Sequence, residues 1–314
     1  MTTLQAPFPT LDFATPRKLP RASSLKGRVV VVDVAFASEA SGGGFEKVTR
    51  PFIDSLGARL AAWVDHHDHA QHAAYANDPR FLLRTKAEHG ACPEMITPEV
   101  VARAGAIDTI VCHTDFDGLA SAAKWIRKGA EPYPGADDDA RAIDTRIGTP
   151  GPIATRMDHA IRGAGRDDGL LGLIVRHLAT GLADRSLWEP IDAAAARSEK
   201  LEVVARELAK NYEVLSAKHP IATARGNRAP TVAFLKLGSE HDRYDKTRLL
   251  LLGQERADIA ALIDKDTLTL AAAFDSGINF LDLVGLSGGM PTLVSVHAKQ
   301  WALVAEKLGV RSGP

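Results

Sequence analysis

The sequence predicts an α/β protein: an open, mostly parallel sheet with flanking helices, followed by a smaller C-terminal α/β domain. Three observations predict it. Short apolar runs of strand length alternate with helical patterns through the first part of the chain. Each run ends in acids or imidazoles, at the place where an open parallel sheet puts its ligand crevice. A second series of strand-like runs follows a long helical stretch. The 314 residues exceed a typical single domain. They divide into a first domain at 1–185, a connector helix at 186–218 and a second domain at 219–314.

The run Val29 to Val32 is β-branched, follows Gly27 and reads as a fully buried strand with Asp33 at its carboxyl end. Gly42, Gly43 and Gly44 lack the Lys and Ser or Thr of a phosphate-binding loop and read as a flexible connection. A helical pattern through Val48, Phe52 and Leu56 leads to a second strand, Leu60 to Val64, which ends in Asp65, His66 and His67. A helix is expected at 98–103. A third strand at 107–112 ends in His113, Asp115, Asp117 and Gly118. Helices follow at 120–126, 153–161 and 170–178, whereas 131–139 is turn-rich, with room for a short strand around Tyr133.

The 186–217 stretch is helical by pattern, with Ser186 and Glu189 fitting a capping box and Leu201, Val204, Leu208, Tyr212 and Leu215 at helical spacing. Beyond Pro220, strands are expected at 231–235, 259–263 and 267–272, with helical patterns near Arg248 and Phe280 and after His297.

Composition narrows the function classes. Hydrophobic residues make up 45% and charged residues 25%, ordinary globular proportions. The net charge of -1 disfavours a broad basic field for nucleic acid or anionic membrane, so a polyanion must be met locally. Residues 1–28 hold no continuous apolar core for a secretory signal, and no stretch is suited to crossing a bilayer. A cytoplasmic protein with no membrane partner is therefore expected. Cys92 and Cys112 fit neither a zinc knuckle nor a disulfide framework.

The strand-end residues carry the chemistry. Hard divalent cations take carboxylate oxygens, and Mn²⁺ also accepts imidazole, so aspartates mixed with histidines suit a manganese site. In His113, Asp115 and Asp117, alternate residues of a strand end can face one way, and Gly118 lets the backbone turn closely into a helix. His69 and His72 read as surface or supporting histidines, and Asp137, Asp138 and Asp139 as a solvated loop.

These residues resemble the DHH phosphoesterase family, named for the triplet present here as Asp65, His66 and His67 in WVDHHDH. CHTDFDGLASA resembles the family's first motif and VVVVDVAF its second. For the fourth motif, which contributes one more metal-binding Asp, Asp158 in IATRMDHAIRG fits best, with Asp144 in RAIDTRIG as the rival. The resemblance implies one metal on His113, Asp115 and Asp33 and a second on Asp117, Asp33, His66 and Asp158. It also implies that His67 faces the substrate phosphate and that Asp65 orients the imidazoles. LSGGMPT stands where the family's substrate domain carries a glycine-rich string, so Gly288 and Gly289 are the expected substrate-binding glycines. Met290 replaces the usual His there, and Asp275 lies where an Arg is common. The motif order differs from the family's, because the His113 segment follows the DHH triplet.

The expected function is metal-dependent hydrolysis of phosphodiester or phosphomonoester bonds, with two Mn²⁺ ions as cofactor and Mg²⁺ as the alternative. The expected substrate is a small nucleotide or short oligonucleotide, and a homodimer is left open. Inorganic polyphosphate or pyrophosphate is the runner-up substrate, and a non-catalytic nucleotide sensor is the reading from a different class.

Overall fold

The structure, a computed structural model, describes residues 8–41, 43–165, 167–238 and 240–310. Gly42 of the expected glycine loop and residues 1–7 of the N-terminal stretch lie outside them. The fold is α/β, as the alternating patterns predict. Five strands form the first sheet: β1 (Thr10–Ala14), β2 (Val29–Val32), β3 (Leu60–Asp65), β5 (Phe81–Leu83) and β6 (Thr109–His113), in the order β1-β6-β2-β3-β5. Every neighbouring pair is parallel.

Both faces of this sheet are covered, which is why β2 is an unbroken apolar run rather than an alternating one. Val30, Val32, Ile110 and Cys112 face a core shared with the helices Phe116–Ile126, Pro152–Ala164 and Asp168–Ala179. Val29, Val31 and Trp63 point the other way, onto Phe36, Phe52 and Phe81. The period-two alternation of a strand sorts neighbouring valines between the two cores.

The strand order resolves the unusual motif order. β6 enters the sheet between β1 and β2, with Val32 level with Cys112 on one side and with Val64 on the other. The carboxyl ends of β6, β2 and β3 therefore lie side by side, although the chain visits them as β2, β3, β6. The carboxyl edge of such a sheet is where α/β proteins form a crevice.

The second sheet is mixed, with strand order β12-β10-β9-β8-β7. It contains β7 (Glu213–Ser216), β8 (Thr231–Lys236), β9 (Ile259–Asp264), β10 (Thr267–Ala272) and β12 (Leu293–His297). Val232, Phe234, Leu268 and Leu270 pack on one side against Trp301 and Phe280, while Ala233, Leu235 and Leu262 pack on the other against Leu249 and Tyr212.

The helix Trp188–Ala209 joins the two units through both cores. Its Ile191 and Ala194 belong to the first core, and its Ala205 and Ala209 to the core under the second sheet. It crosses the helix Pro152–Ala164 closely, and a Cβ on Gly163 would stand 2.0 Å from the Ala194 carbonyl oxygen. A two-stranded ladder also ties the units together: β4 (Asp68–His69) pairs antiparallel with β11 (Gly288–Gly289).

Several local expectations change. The helical stretch expected to reach 217 stops at Ala209, and the chain turns through Lys210 and Asn211 into β7. Tyr212 matched the helical spacing, but it is buried beneath the second sheet. Residues 131–139 hold no strand. Gly135, at φ 85°, starts the helix Ala136–Thr145, whose first turn contains Asp137, Asp138 and Asp139. Three carboxylates at a helix N-terminus meet its unpaired N–H groups favourably. Asp137 also pairs with the buried Lys124, and Asp139 accepts hydrogen bonds from the Tyr133 hydroxyl and the Gly151 amide.

Candidate metal centre

Asp33 ends β2 with φ 57°, in the left-handed region that few residues other than glycine enter. Its amide still donates to Val64 O at 2.9 Å, so the ladder with β3 continues to the residue where the chain turns. The side chain is buried, and neither carboxylate oxygen has a hydrogen-bond partner among the described residues. His66 Nε2 lies 3.2 Å from Oδ1, and His113 Nδ1 lies 3.8 Å from Oδ2. Burial pushes the Asp33 carboxyl well above its usual pKa, and the charges of Asp117 and Asp115 push it further.

The DHH triplet continues β3. Asp65 is fully buried and accepts from His67 Nδ1 at 2.8 Å. Burial works against its charge, yet His67 wins and holds it at about 2. A carboxylate only accepts, so the His67 proton sits on Nδ1 and leaves Nε2 as the nitrogen with a free lone pair. His66 is fixed in the same tautomer by Nδ1 donating to His89 O at 2.9 Å. Its Nε2 faces Asp33, Asp117 Oδ2 at 3.1 Å and Lys86 Nζ at 2.8 Å. Orienting an imidazole through its other nitrogen is the usual arrangement for a metal-ligating histidine.

The end of β6 supplies the other half. His113 Nδ1 is 2.8 Å from Asp115 Oδ2, without the geometry of a hydrogen bond to any of the described residues. Asp115 caps the helix Phe116–Ile126 by accepting from Gly118 N at 3.0 Å. A Cβ at Gly118 would meet His113 O at 2.6 Å, which explains the glycine. Although burial raises Asp115, His113 holds it well below the usual carboxylate range. Asp117 is buried, accepts from Cys92 N at 3.0 Å and is pushed by burial up to about 6, with His66 offsetting part of the rise.

Three sets of donor atoms lie within 4.8 Å of one another: Asp33 with His66 and His67, Asp33 with His113 and Asp115, and His66 with Asp117 and Asp144. Asp33 belongs to two of them. A buried carboxylate with both oxygens unpartnered, beside further acids and correctly tautomerised imidazoles, is costly unless a cation shares the space. The donor set therefore fits a hard or borderline divalent cation.

The structure thus brings together Asp33, Asp65, His66, His67, His113, Asp115 and Asp117. It leaves Asp158 outside the clustered donors. Asp158 lies in the middle of the helix Pro152–Ala164 and pairs with Arg162 at 3.0 Å, whereas Asp144, in the last turn of the helix Ala136–Thr145, takes the place beside His66 and Asp117. Gly288 and Gly289 spend their backbone on pairing with His69 and Asp68. His69 is buried behind that ladder with Nε2 3.3 Å from Ala37 O, and His72 packs edge-on against Phe36. Cys92 and Cys112 are buried free thiols.

Lys86 was not legible as a site residue. It follows β5, a strand too short to stand out, but it obeys the same rule as the others by lying just past a strand's carboxyl end. It is buried and ion-paired with Asp144.

The cluster opens on a cleft of about 400 Å³ between the two units. Asp115, Asp117, Asp144 and Arg146 line the near wall, and Leu250, Gln254, Phe274, Met290 and Thr292 the far wall. A larger hollow of about 680 Å³ beside Asp12, Phe13 and Arg176 contains none of the strand-end groups. Among the described residues, no helix is long and apolar enough to cross a membrane.

No protein-family model matches the chain, and a search of curated proteins finds no match.

Proposed function

We propose that the protein is a divalent-metal-dependent phosphoesterase acting on small nucleotides or short oligonucleotides, with Mn²⁺ as the expected ion and Mg²⁺ as the alternative. The observation that carries this reading is the unpartnered, buried carboxylate of Asp33 among His66, His113, Asp115 and Asp117, the last two of which line the cleft. A divalent cation held by such groups supplies positive charge to a phosphoryl oxygen and lowers the pKa of a water.

The chain's own residues supply the rest. Asp65 keeps the His67 proton on Nδ1, so Nε2 is the nitrogen free to accept a proton or, once protonated, to donate to a phosphate oxygen. His89 O fixes His66 in the matching tautomer. The Asp115 cap ties the end of β6 to the helix Phe116–Ile126 and so holds His113 and Asp117 at fixed separation. Burial of Asp33, Asp65, His66 and Asp117 excludes water from behind the cluster.

The cleft favours a substrate with an apolar or aromatic body over a bare polyphosphate chain. Its far wall includes Leu250, Ala271, Phe274 and Met290. Arg162 also lines it, but that guanidinium is committed to Asp158, Asp245 and Glu202, which leaves Arg146 as the exposed cation nearest the acids. A long phosphate polymer calls for more positive charge than this.

The test is release of mononucleotide or phosphate from cyclic dinucleotides, bisphosphonucleotides, short RNAs and polyphosphate, each with Mn²⁺, Mg²⁺ or chelator. Metal-dependent turnover of a nucleotidic substrate is the expected result. Turnover of polyphosphate alone would move the reading to a polyphosphatase, and nucleotide binding without turnover under every metal would make the protein a sensor.

A further inference from the structure

We infer that Lys86 Nζ stands as a built-in second cation in the cluster, so that the centre takes one divalent ion, on the Asp33–His113–Asp115 side, rather than two. The inference deepens the metal-dependent phosphoesterase reading and rests on it.

The geometry is specific. Lys86 Nζ lies 2.8 Å from His66 Nε2 and is ion-paired with Asp144. His66 Nε2 is in turn 3.1 Å from Asp117 Oδ2. His66, Asp117 and Asp144 form one of the three donor sets, and the ammonium reaches into the middle of it. Divalent first-row metals sit about 2.0–2.2 Å from nitrogen and oxygen ligands. The Lys86 nitrogen already stands against both His66 Nε2 and Asp144, so an ion bound to that pair would compete with it for the same atoms.

Lys86 is also built to stay. Its side chain is 3% exposed. Its amide donates to Asp68 Oδ2 at 3.3 Å, which ties the residue to the segment that carries the DHH triplet. An ammonium without partners at this depth would be expelled or would lose its proton. Here the ammonium has its counter-charge in the ion pair with Asp144.

The Asp33–His113–Asp115 set has no such occupant. Among the described residues, both Asp33 oxygens and His113 Nδ1 are without hydrogen-bond partners. Lys86 thus supplies a fixed, non-exchangeable single charge at His66 Nε2, the nitrogen that the Asp33–His66–His67 set shares, while the Asp33–His113–Asp115 set is open to a metal. With donors already on His66 and Asp144, a tethered ammonium keeps at most one for a phosphoryl oxygen, but its charge stays in the cluster and survives chelation.

The experiment counts ions on the full-length protein after chelator treatment and titration with Mn²⁺, by metal analysis and by electron paramagnetic resonance. The wild type is expected to bind one Mn²⁺ per chain with an uncoupled spectrum. Lys86→Met, which keeps the side chain's bulk, and Lys86→Ala are expected to admit a second ion and to show exchange coupling between neighbouring Mn²⁺ centres. Two Mn²⁺ per wild-type chain would overturn the assignment of Lys86 while leaving the metal centre standing. So would variants that remain at one ion. A wild-type chain that binds none would remove the metal centre and the inference together. The wild-type count needs no variant, so a Lys86 variant that fails to fold leaves the test decisive.

Discussion

Gly288 of the second unit is pressed against His69 of the first, where a Cβ on the glycine would stand 2.2 Å from His69 Cδ2 and 2.6 Å from Asp68 O. The contact lies two residues past His67, so the ladder between β4 and β11 sets how the far wall of the cleft faces the cluster. Gly288→Ala forces this ladder apart. The expected cost is about 1–3 kcal/mol of stability, together with reduced turnover as the two walls separate. Urea denaturation beside turnover on the best substrate checks it, and wild-type stability and turnover in the variant would contradict the role given to the ladder.

Asp33→Asn probes the buried charge. With no cation present, the carboxylate is unpartnered and faces Asp117 and Asp115, so the neutral amide is expected to stabilise the metal-free protein by about 1–3 kcal/mol. The same change removes a ligand common to two donor sets. The rise in melting temperature that Mn²⁺ gives the wild type should therefore vanish. Thermal melts with chelator and with Mn²⁺ read both effects, and a variant still stabilised by Mn²⁺ would remove Asp33 from the centre.

Asp117→Asn and Asp158→Asn separate the clustered acid from the one outside it. Loss of Asp117 is expected to lower turnover by roughly 100-fold or more, since several kcal/mol of charge stabilisation go with it. Asp158→Asn breaks only the pair with Arg162 and should leave the Mn²⁺-induced thermal shift intact. Equal loss of that shift in both variants would return Asp158 to the ligand set.

Metal uptake should release protons. Burial pulls the His113 imidazole down, but Asp115 outweighs it and leaves the group at about 9, while burial lifts Asp117 to about 6. Both must be deprotonated to bind a cation. Above pH 6 Asp117 is ready, and His113 still carries a proton that the metal must displace. Apparent affinity is thus expected to rise with pH between about 6 and 9, by up to about tenfold per unit for one proton released. Calorimetric titration with Mn²⁺ in buffers of different ionisation enthalpy measures that proton directly, and a flat affinity across this range would contradict the ligand role of His113.

The strands that position the cluster were legible because each is a local signal. Val29–Val32 and Leu60–Asp65 are apolar runs of strand length with both faces covered, and the polar residues at their ends form the cluster. The same reasoning reached β8, β9 and β10. It missed β1, β5, β7 and β12 and the two-residue β4 and β11, which are short or partly exposed and alternate too briefly to stand apart from neighbouring turns. It also read Asp137 to Asp139 as a loop, because a run of acids looks solvated until a helix N-terminus is placed behind it.

By itself, then, the sequence determined the α/β class and the residues Asp33, Asp65, His66, His67, His113, Asp115 and Asp117, since strand length, burial and the residue that ends each run are written over a few neighbouring positions. Only the tertiary structure decided that β6 lies beside β2, that Asp144 rather than Asp158 joins the cluster, that Gly288 and Gly289 hold the units together, and that Lys86 reaches the centre. The physical reason is that a parallel sheet brings strand ends into register through crossover connections. Which distant side chains meet at that edge depends on strand order and helix docking, and neither leaves a periodic mark in the chain.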